Sequence, residues 1–300
     1  MSAIARADTV VPAGSAVDRA ALGAFAGAVV IGGTNFVAVR FSNRGLDPLW
    51  GAGLRFALAA AIFGLLCAAL RLPLPRGRAL VLAGAYGLLS FAAAYGCIYW
   101  AMQEVPAGIA AVMLAIGPLL TLLLAVAHGM ERLSGRALAG ALVALVGSVV
   151  IFFQPESLAF GWESLALLGA GALCAAQAVV VSKLVGRQHP AAINFVGMSA
   201  GAVVLVVAAA AADERLVLPA AGETRLALAY LVAASVGLFL LALVVVQRWT
   251  ASAASYVFVL MPVIAVALGA LIADEPVTAT TIAGGALVSA GVYLGASRRG

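Results

Sequence analysis

Residues 117–147, GPLLTLLLAVAHGMERLSGRALAGALVALVG, and residues 261–291, MPVIAVALGALIADEPVTATTIAGGALVSAG, are two copies of one unit. At a spacing of 144 residues they pair Pro118 with Pro262, Glu131 with Glu275, Gly140 with Gly284 and Gly147 with Gly291. Working outward, Gln103 pairs with Gln247 at the same spacing. An earlier block pairs Asn35 with Gln177 and Pro48 with Pro190 at a spacing of 142. A duplicated unit that holds an odd number of membrane crossings must place its second copy upside down. Such inverted repeats expose one central site to either side in turn, so the pattern points to a carrier.

Composition puts the chain in lipid. Hydrophobic residues make up 65% and charged residues only 10%, with a mean hydropathy of +1.14, whereas a soluble domain carries about 25% charged residues. Ten apolar segments of roughly the 20-residue length that spans a bilayer run over 20–41, 48–70, 79–102, 105–128, 135–153, 162–186, 190–212, 226–247, 250–273 and 277–297. The expected fold is all-α and integral to the membrane, with ten transmembrane helices. A polar cytoplasmic tail (1–19) precedes a first five-helix repeat (20–153) and an inverted second five-helix repeat (162–297). The tail has neither an apolar core nor a cleavage pattern and does not read as a signal peptide.

The charges orient this bundle. Twelve of the seventeen Lys and Arg fall on one side: Arg6, Arg19, Arg71, Arg76, Arg78, Arg132, Arg136, Lys183, Arg187, Arg248, Arg298 and Arg299. Arg40, Arg44, Arg215 and Arg225 lie on the other, and Arg55 is inside a helix. The positive-inside rule then predicts both termini in the cytoplasm, as in a multi-pass protein of a bacterial inner membrane. This separation also explains the basic pI (≈ 9.5) without nucleic acid. Gly23/Gly27, Gly197/Gly201 and Gly291/Gly295 read as small-residue pairs for close helix packing.

The run Gly33-Thr34-Asn35-Phe36-Val37-Ala38-Val39-Arg40, with Pro48 and Leu54-Arg55-Phe56 after it, resembles the opening of EamA-type carriers of the drug/metabolite transporter superfamily. So does the stretch from Pro106 through Gly117-Pro118-Leu119 to Glu131-Arg132-Leu133 and Gly140. Its second copy holds Ala253-Ala254-Ser255, Met261-Pro262-Val263, Glu275 and Gly284-Gly285. The resemblance covers nearly the whole chain and implies a ten-helix exporter of small metabolites, within the branch of aromatic amino acid exporters.

Polar and aromatic residues inside the apolar segments are the candidates for the site. Asn35 and Gln177 are amides at mirrored depths, and a buried amide in lipid must find partners. Each can orient a zwitterion or tie two helices together. Arg55 is the one charge well inside a helix, a functional candidate by default. It suits a substrate carboxylate, or else snorkels outward or pairs with Asp47. Tyr95 and Tyr99 share a face of the third segment at i, i+4, while Tyr86 and Trp100 point roughly the other way. Tyr99 and Trp100 also fall near the interface, where aromatic belts are expected without any function. Tyr256 joins the list from the other half. Pro118 and Pro262 sit mid-helix and push off the carbonyls of Leu114 and Phe258. With Gly117 they read as hinges or static kinks.

No Asp or Glu is expected at mid-membrane, and His128 and His189 stand at helix ends, so proton or sodium coupling has no evident site. No Walker-type loop is present. Cys67, Cys97 and Cys174 have neither metal nor disulfide spacing, and no nucleophile–base set appears. The sequence predicts no cofactor, no metal and no enzyme. It predicts a facilitator that exports an amino acid, aromatic or otherwise bulky and apolar, or a similar small metabolite. A multidrug or organic-cation exporter and a non-transporting membrane scaffold are the alternatives.

Overall fold

The computed structural model describes residues 18–105, 110, 113–152, 161–264 and 278–296. Among these the chain is helical throughout, without strands. The elements are α1 (Arg19–Ser42), α2 (Pro48–Ala69), α3 (Arg78–Ala101), α4 (Gly117–Ala127), α5 (Gly135–Phe152), α6 (Trp162–Leu184), α7 (Pro190–Ala211), α8 (Gly222–Arg248), α9 (Ala251–Ile264) and α10 (Ala279–Ala296). Five of them, α2, α3, α6, α7 and α8, are long and apolar enough to cross a membrane. Two elements are broken: α3 winds as a π-helix over Leu88–Ala94, and a turn at Tyr256 interrupts α9. Glu275 lies outside the described residues, as do Pro106, the tail up to residue 17 and the two C-terminal arginines.

The repeat is visible in how helices begin and end. Pro48 and Pro190 each occupy the first turn of their helices, α2 and α7, where the missing N–H has no intrahelical partner to lose. Both helices also stop alike. Arg71 (φ 50°) and Asp213 (φ 54°) take left-handed conformations at equivalent places. The next amide then reaches back, Leu72 to Cys67 O at 2.9 Å and Glu214 to Ala209 O at 3.0 Å. These are Schellman closures, which satisfy carbonyls the helix end would otherwise leave bare.

Packing follows the same symmetry. The most extensively packed helix pairs are α5 with α10, α2 with α7, α1 with α8 and α3 with α6, and α3 also packs on α7. Exchanging the first five helices for the last five turns the α1–α8 pair into α6–α3 and leaves α5–α10 and α2–α7 unchanged. Glycines set these distances. A Cβ on Gly147 would lie 2.8 Å from Gly284 O, and one on Gly284 would lie 2.7 Å from Gly147 O. Gly140 and Gly291 meet in the same reciprocal way. Gly197 and Gly201 face Gly87 and Phe91 of α3. The expected Gly23/Gly27 pair is corrected: Gly23 is exposed with open space around it, and only Gly27 meets a neighbour, the side chain of Leu241.

Candidate functional site

A cavity of about 80 Å³ lies where α1, α2, α3, α4, α6, α8 and α9 converge. Pockets that enclose drug-sized ligands measure roughly 300–1,000 Å³, so the bundle stands contracted around it. Four pairs of its lining residues occupy equivalent places in the two copies, 144 apart: Ala94 and Leu238, Tyr95 and Phe239, Leu114 and Phe258, Gly117 and Met261. The cavity therefore sits on the axis that relates the repeats. Leu114 and Phe258 are the two residues whose carbonyls cannot receive the missing N–H of Pro118 and Pro262.

The pairs are unequal. In each, the second copy carries the larger or more apolar side chain. Among the described residues every polar lining residue, namely Asn35, Arg55, Ser90, Tyr95, Tyr99 and Thr121, comes from α1–α4. The contributions of α6, α8 and α9 are Ala172, Ala175, Ala176, Leu238, Phe239, Phe258 and Met261.

Arg55 is the centre of the polar part and is fully buried (0% exposed). Its Nε donates to Ser235 Oγ on α8 at 2.7 Å, and its Nη1 donates to the Tyr99 hydroxyl at 3.0 Å. Ser235 in turn donates to Leu231 O at 2.7 Å. The guanidinium lies 5.2 Å and 5.3 Å from the ring centres of Phe56 and Tyr95, within cation–π range. Among the described residues Nη2 has no hydrogen-bond partner, and neither do Asn35 Oδ1 and Thr121 Oγ1. Arg55 makes no ion pair among the described residues, and Asp47 pairs instead with Arg215 at 2.8 Å. An aromatic cluster backs the site: Phe56 packs on Phe91 and Tyr95 with ring centres 4.9 Å apart in each case, and Phe91 meets Phe239 at 4.8 Å.

Of the residues singled out from sequence, the fold brings Asn35, Arg55, Tyr95, Tyr99 and Gly117 to this cavity. Pro118 and Pro262 are buried next to lining residues. Four others lie elsewhere, which corrects the expectation of one shared cavity. Tyr86 turns toward α7, donating to Asn194 Oδ1 at 3.3 Å. Trp100 is on the outer surface, 43% exposed. Tyr256 packs against Gly295 of α10. Gln177 faces the end of α4, where its Nε2 donates to His128 Nε2 at 3.3 Å. His128 Nδ1 donates to Leu124 O at 2.8 Å, which leaves Nε2 as the acceptor. Thr121, Ser235 and Phe239 were not singled out. Phe239 was findable as the repeat partner of Tyr95; a lone Thr or Ser in an apolar helix gives no such signal.

The two ends of the bundle differ. At one, Glu131 accepts from Ser252 N at 3.0 Å and from the Ser252 hydroxyl, capping α9 from the loop after α4. Nearby, Lys183 Nζ donates to Val246 O at 2.7 Å and to Trp249 O at the end of α8. At the other end, Glu214 accepts from Leu49 N (3.1 Å) and Trp50 N (2.7 Å), and Asp47 binds Arg215. That contact holds the Asp47 carboxyl below its ordinary range. Met102, a cavity residue, also borders a surface hollow with Asn43, Arg44 and Gln103, so the cavity approaches this second end.

A duplicated, all-helical bundle with a buried cavity on its internal axis is an architecture that suits a multi-pass membrane transporter. The sequence matches the EamA-like transporter family twice, over residues 19–153 and 161–296, and the chain belongs to that family. It is 25% identical over 282 residues to a protein of Archaeoglobus fulgidus named an uncharacterized transporter, covering 90% of this chain and 96% of that one. It is 36% identical over 126 residues to a probable amino-acid metabolite efflux pump of Escherichia coli, spanning 41% of this chain and 40% of the pump. It is 32% identical over 126 residues to a probable terminal-alkyne amino-acid exporter of Streptantibioticus cattleyicolor, 41% of each chain. One solved crystal structure superposes with a TM-score of 0.77 at 21% identity, covering 92% of this chain and 97% of that one, which bears on the fold alone.

Proposed function

We propose that the protein exports amino acids with bulky apolar or aromatic side chains, or similar small metabolites, by alternating access. The observation that carries this reading is the cavity on the repeat axis, walled by equivalent residues of both copies. Two relatives named for amino-acid efflux support the substrate class. Each half contributes five crossings, ten in all, and both termini face the cytoplasm, as the Lys/Arg bias favours. The membrane is the cytoplasmic membrane of a bacterium.

On this reading the end held by Glu131 and Lys183 is cytoplasmic and closed, and the hollow at Met102 is the external mouth. The bundle rocks where α4 and α9 carry Pro118 and Pro262, releasing one end as the other closes. Among the described residues none of those lining the cavity is Asp or Glu, which favours a facilitator over proton or sodium coupling. Counterflow of radiolabelled amino acids in liposomes holding only the purified protein tests the proposal. Saturable exchange without an imposed ion gradient is expected. Flux that appears only under a gradient overturns the uncoupled mechanism, and the absence of all amino acid flux overturns the substrate class.

A further inference from the structure

We infer that Arg55, Asn35 and Thr121 form a head-group subsite that recognises the zwitterion of an α-amino acid. Arg55 takes the carboxylate, and Asn35 Oδ1 with Thr121 Oγ1 take the ammonium. The inference rests on the amino acid export reading and names what that site requires of its cargo. All three residues are at least nine-tenths buried, all line the cavity, and each presents one polar atom without a partner. Their chemistry is complementary to a zwitterion: one free cationic donor, Nη2, and two free acceptors. A buried cation within the membrane calls for an anion, and among the described residues no carboxylate supplies one. Ser235 and Tyr99 fix two of the guanidinium nitrogens and leave the third without a partner among the described residues. A planar guanidinium suits a carboxylate better than a lysine ammonium does.

The subsite belongs to the first repeat alone. Arg55 corresponds to Gly197 at the spacing of 142, so the second copy has no counterpart of this charge. The opposite wall, including Leu238, Phe239, Phe258 and Met261, is apolar. The cargo therefore lies with its head group on the first repeat and its side chain on the second. An organic cation can lay its apolar body on the second wall but meets Arg55 with like charge.

The test is equilibrium binding and exchange of radiolabelled L-phenylalanine on the unaltered protein in liposomes, competed by phenethylamine, phenylalanine amide and 3-phenylpropionate. Phenethylamine lacks the carboxylate, leaves Nη2 buried and unpaired, and is expected to compete on the order of 100-fold more weakly than phenylalanine. The amide offers Nη2 only a neutral carbonyl and is expected to compete about tenfold more weakly. 3-Phenylpropionate lacks the ammonium and is expected to lose about tenfold. Arg55→Lys keeps the charge and is expected to weaken phenylalanine by tenfold or more while leaving the weak binding of phenethylamine unchanged. Phenylalanine exchange with phenethylamine competing equally overturns the subsite and leaves the amino acid carrier standing. No exchange of any amino acid overturns both.

Discussion

Tyr95 and Phe239 occupy the same place in the two repeats, 144 residues apart, and their rings meet across the cavity with centres 6.0 Å apart at 65°. An internal axis brings equivalent residues face to face only where it passes between them, so this contact marks its position. Tyr95→Phe keeps the ring contacts and is expected to leave stability within about 1 kcal/mol of the parent. Tyr95→Ala removes contacts with Phe56 and Phe239, each worth about 0.5–1.5 kcal/mol. It is expected to depress exchange of bulky apolar amino acids more than of small ones. An equal loss for all cargoes in the liposome assay would assign the ring to folding.

Tyr99→Phe deletes the hydroxyl that accepts from Arg55 Nη1. A hydrogen bond to a charged group contributes about 1.5–3 kcal/mol, so carboxylate-bearing cargo should bind about 10–100-fold more weakly. Affinity by equilibrium binding checks this, with thermal unfolding of the same sample as the control. Unchanged affinity would mean that Ser235 alone orients the guanidinium.

Pro118→Ala and Pro262→Ala restore a donor beneath Leu114 O and Phe258 O. Each is expected to slow exchange while leaving equilibrium affinity within about threefold, since the substitution stiffens the helix without removing a lining residue. Turnover equal to the parent's would make both prolines static kinks.

Glycine substitutions should separate packing from mere flexibility. A side chain at Gly291 would strike the backbone of Ala144 and Gly140 O, so Gly291→Leu is expected to cost several kcal/mol by forcing α5 and α10 apart. Gly23 has open space, and Gly23→Ala is expected to be neutral or to stabilise by up to about 1 kcal/mol through helix propensity. Thermal unfolding in detergent reads both.

The Asp47–Arg215 contact sets a pH dependence. Its carboxyl is depressed below 3.8, chiefly by the Arg215 side chain and amide. The stabilisation is thus complete above that value and is lost as pH falls through the lower folded one. The unfolding temperatures of the parent and Asp47→Asn should differ at neutral pH and converge in acid. A constant gap would place the effect in the helix cap instead.

Much of this arrangement was legible in the chain because symmetry and face are geometric. The i, i+4 spacing of Tyr95 and Tyr99 gave them one direction and Trp100 another, as the fold has them. Gln177 escaped the same logic. On α6 the cavity stripe is Ala172, Ala175 and Ala176, and Gln177 stands about 100° further round, facing His128. Depth along a helix followed from counting residues; its rotation depended on which neighbours it met. Nor did composition announce the π-helical stretch of α3, which lies where Gly87 and Phe91 pack against Gly197 and Gly201 of α7.

The unequal pairs at the axis carry a kinetic consequence. Under the proposed alternating access, a perfect duplicate would have two openings related by the two-fold axis and of equal free energy, and the carrier would be indifferent to its orientation. Leu238 against Ala94 and Met261 against Gly117 lift that degeneracy, so one orientation is the resting one. Half-saturation should then come at different concentrations on the two faces. On the proposed uncoupled mechanism, maximal rates differ by the same ratio, because a facilitator cannot shift the equilibrium it serves.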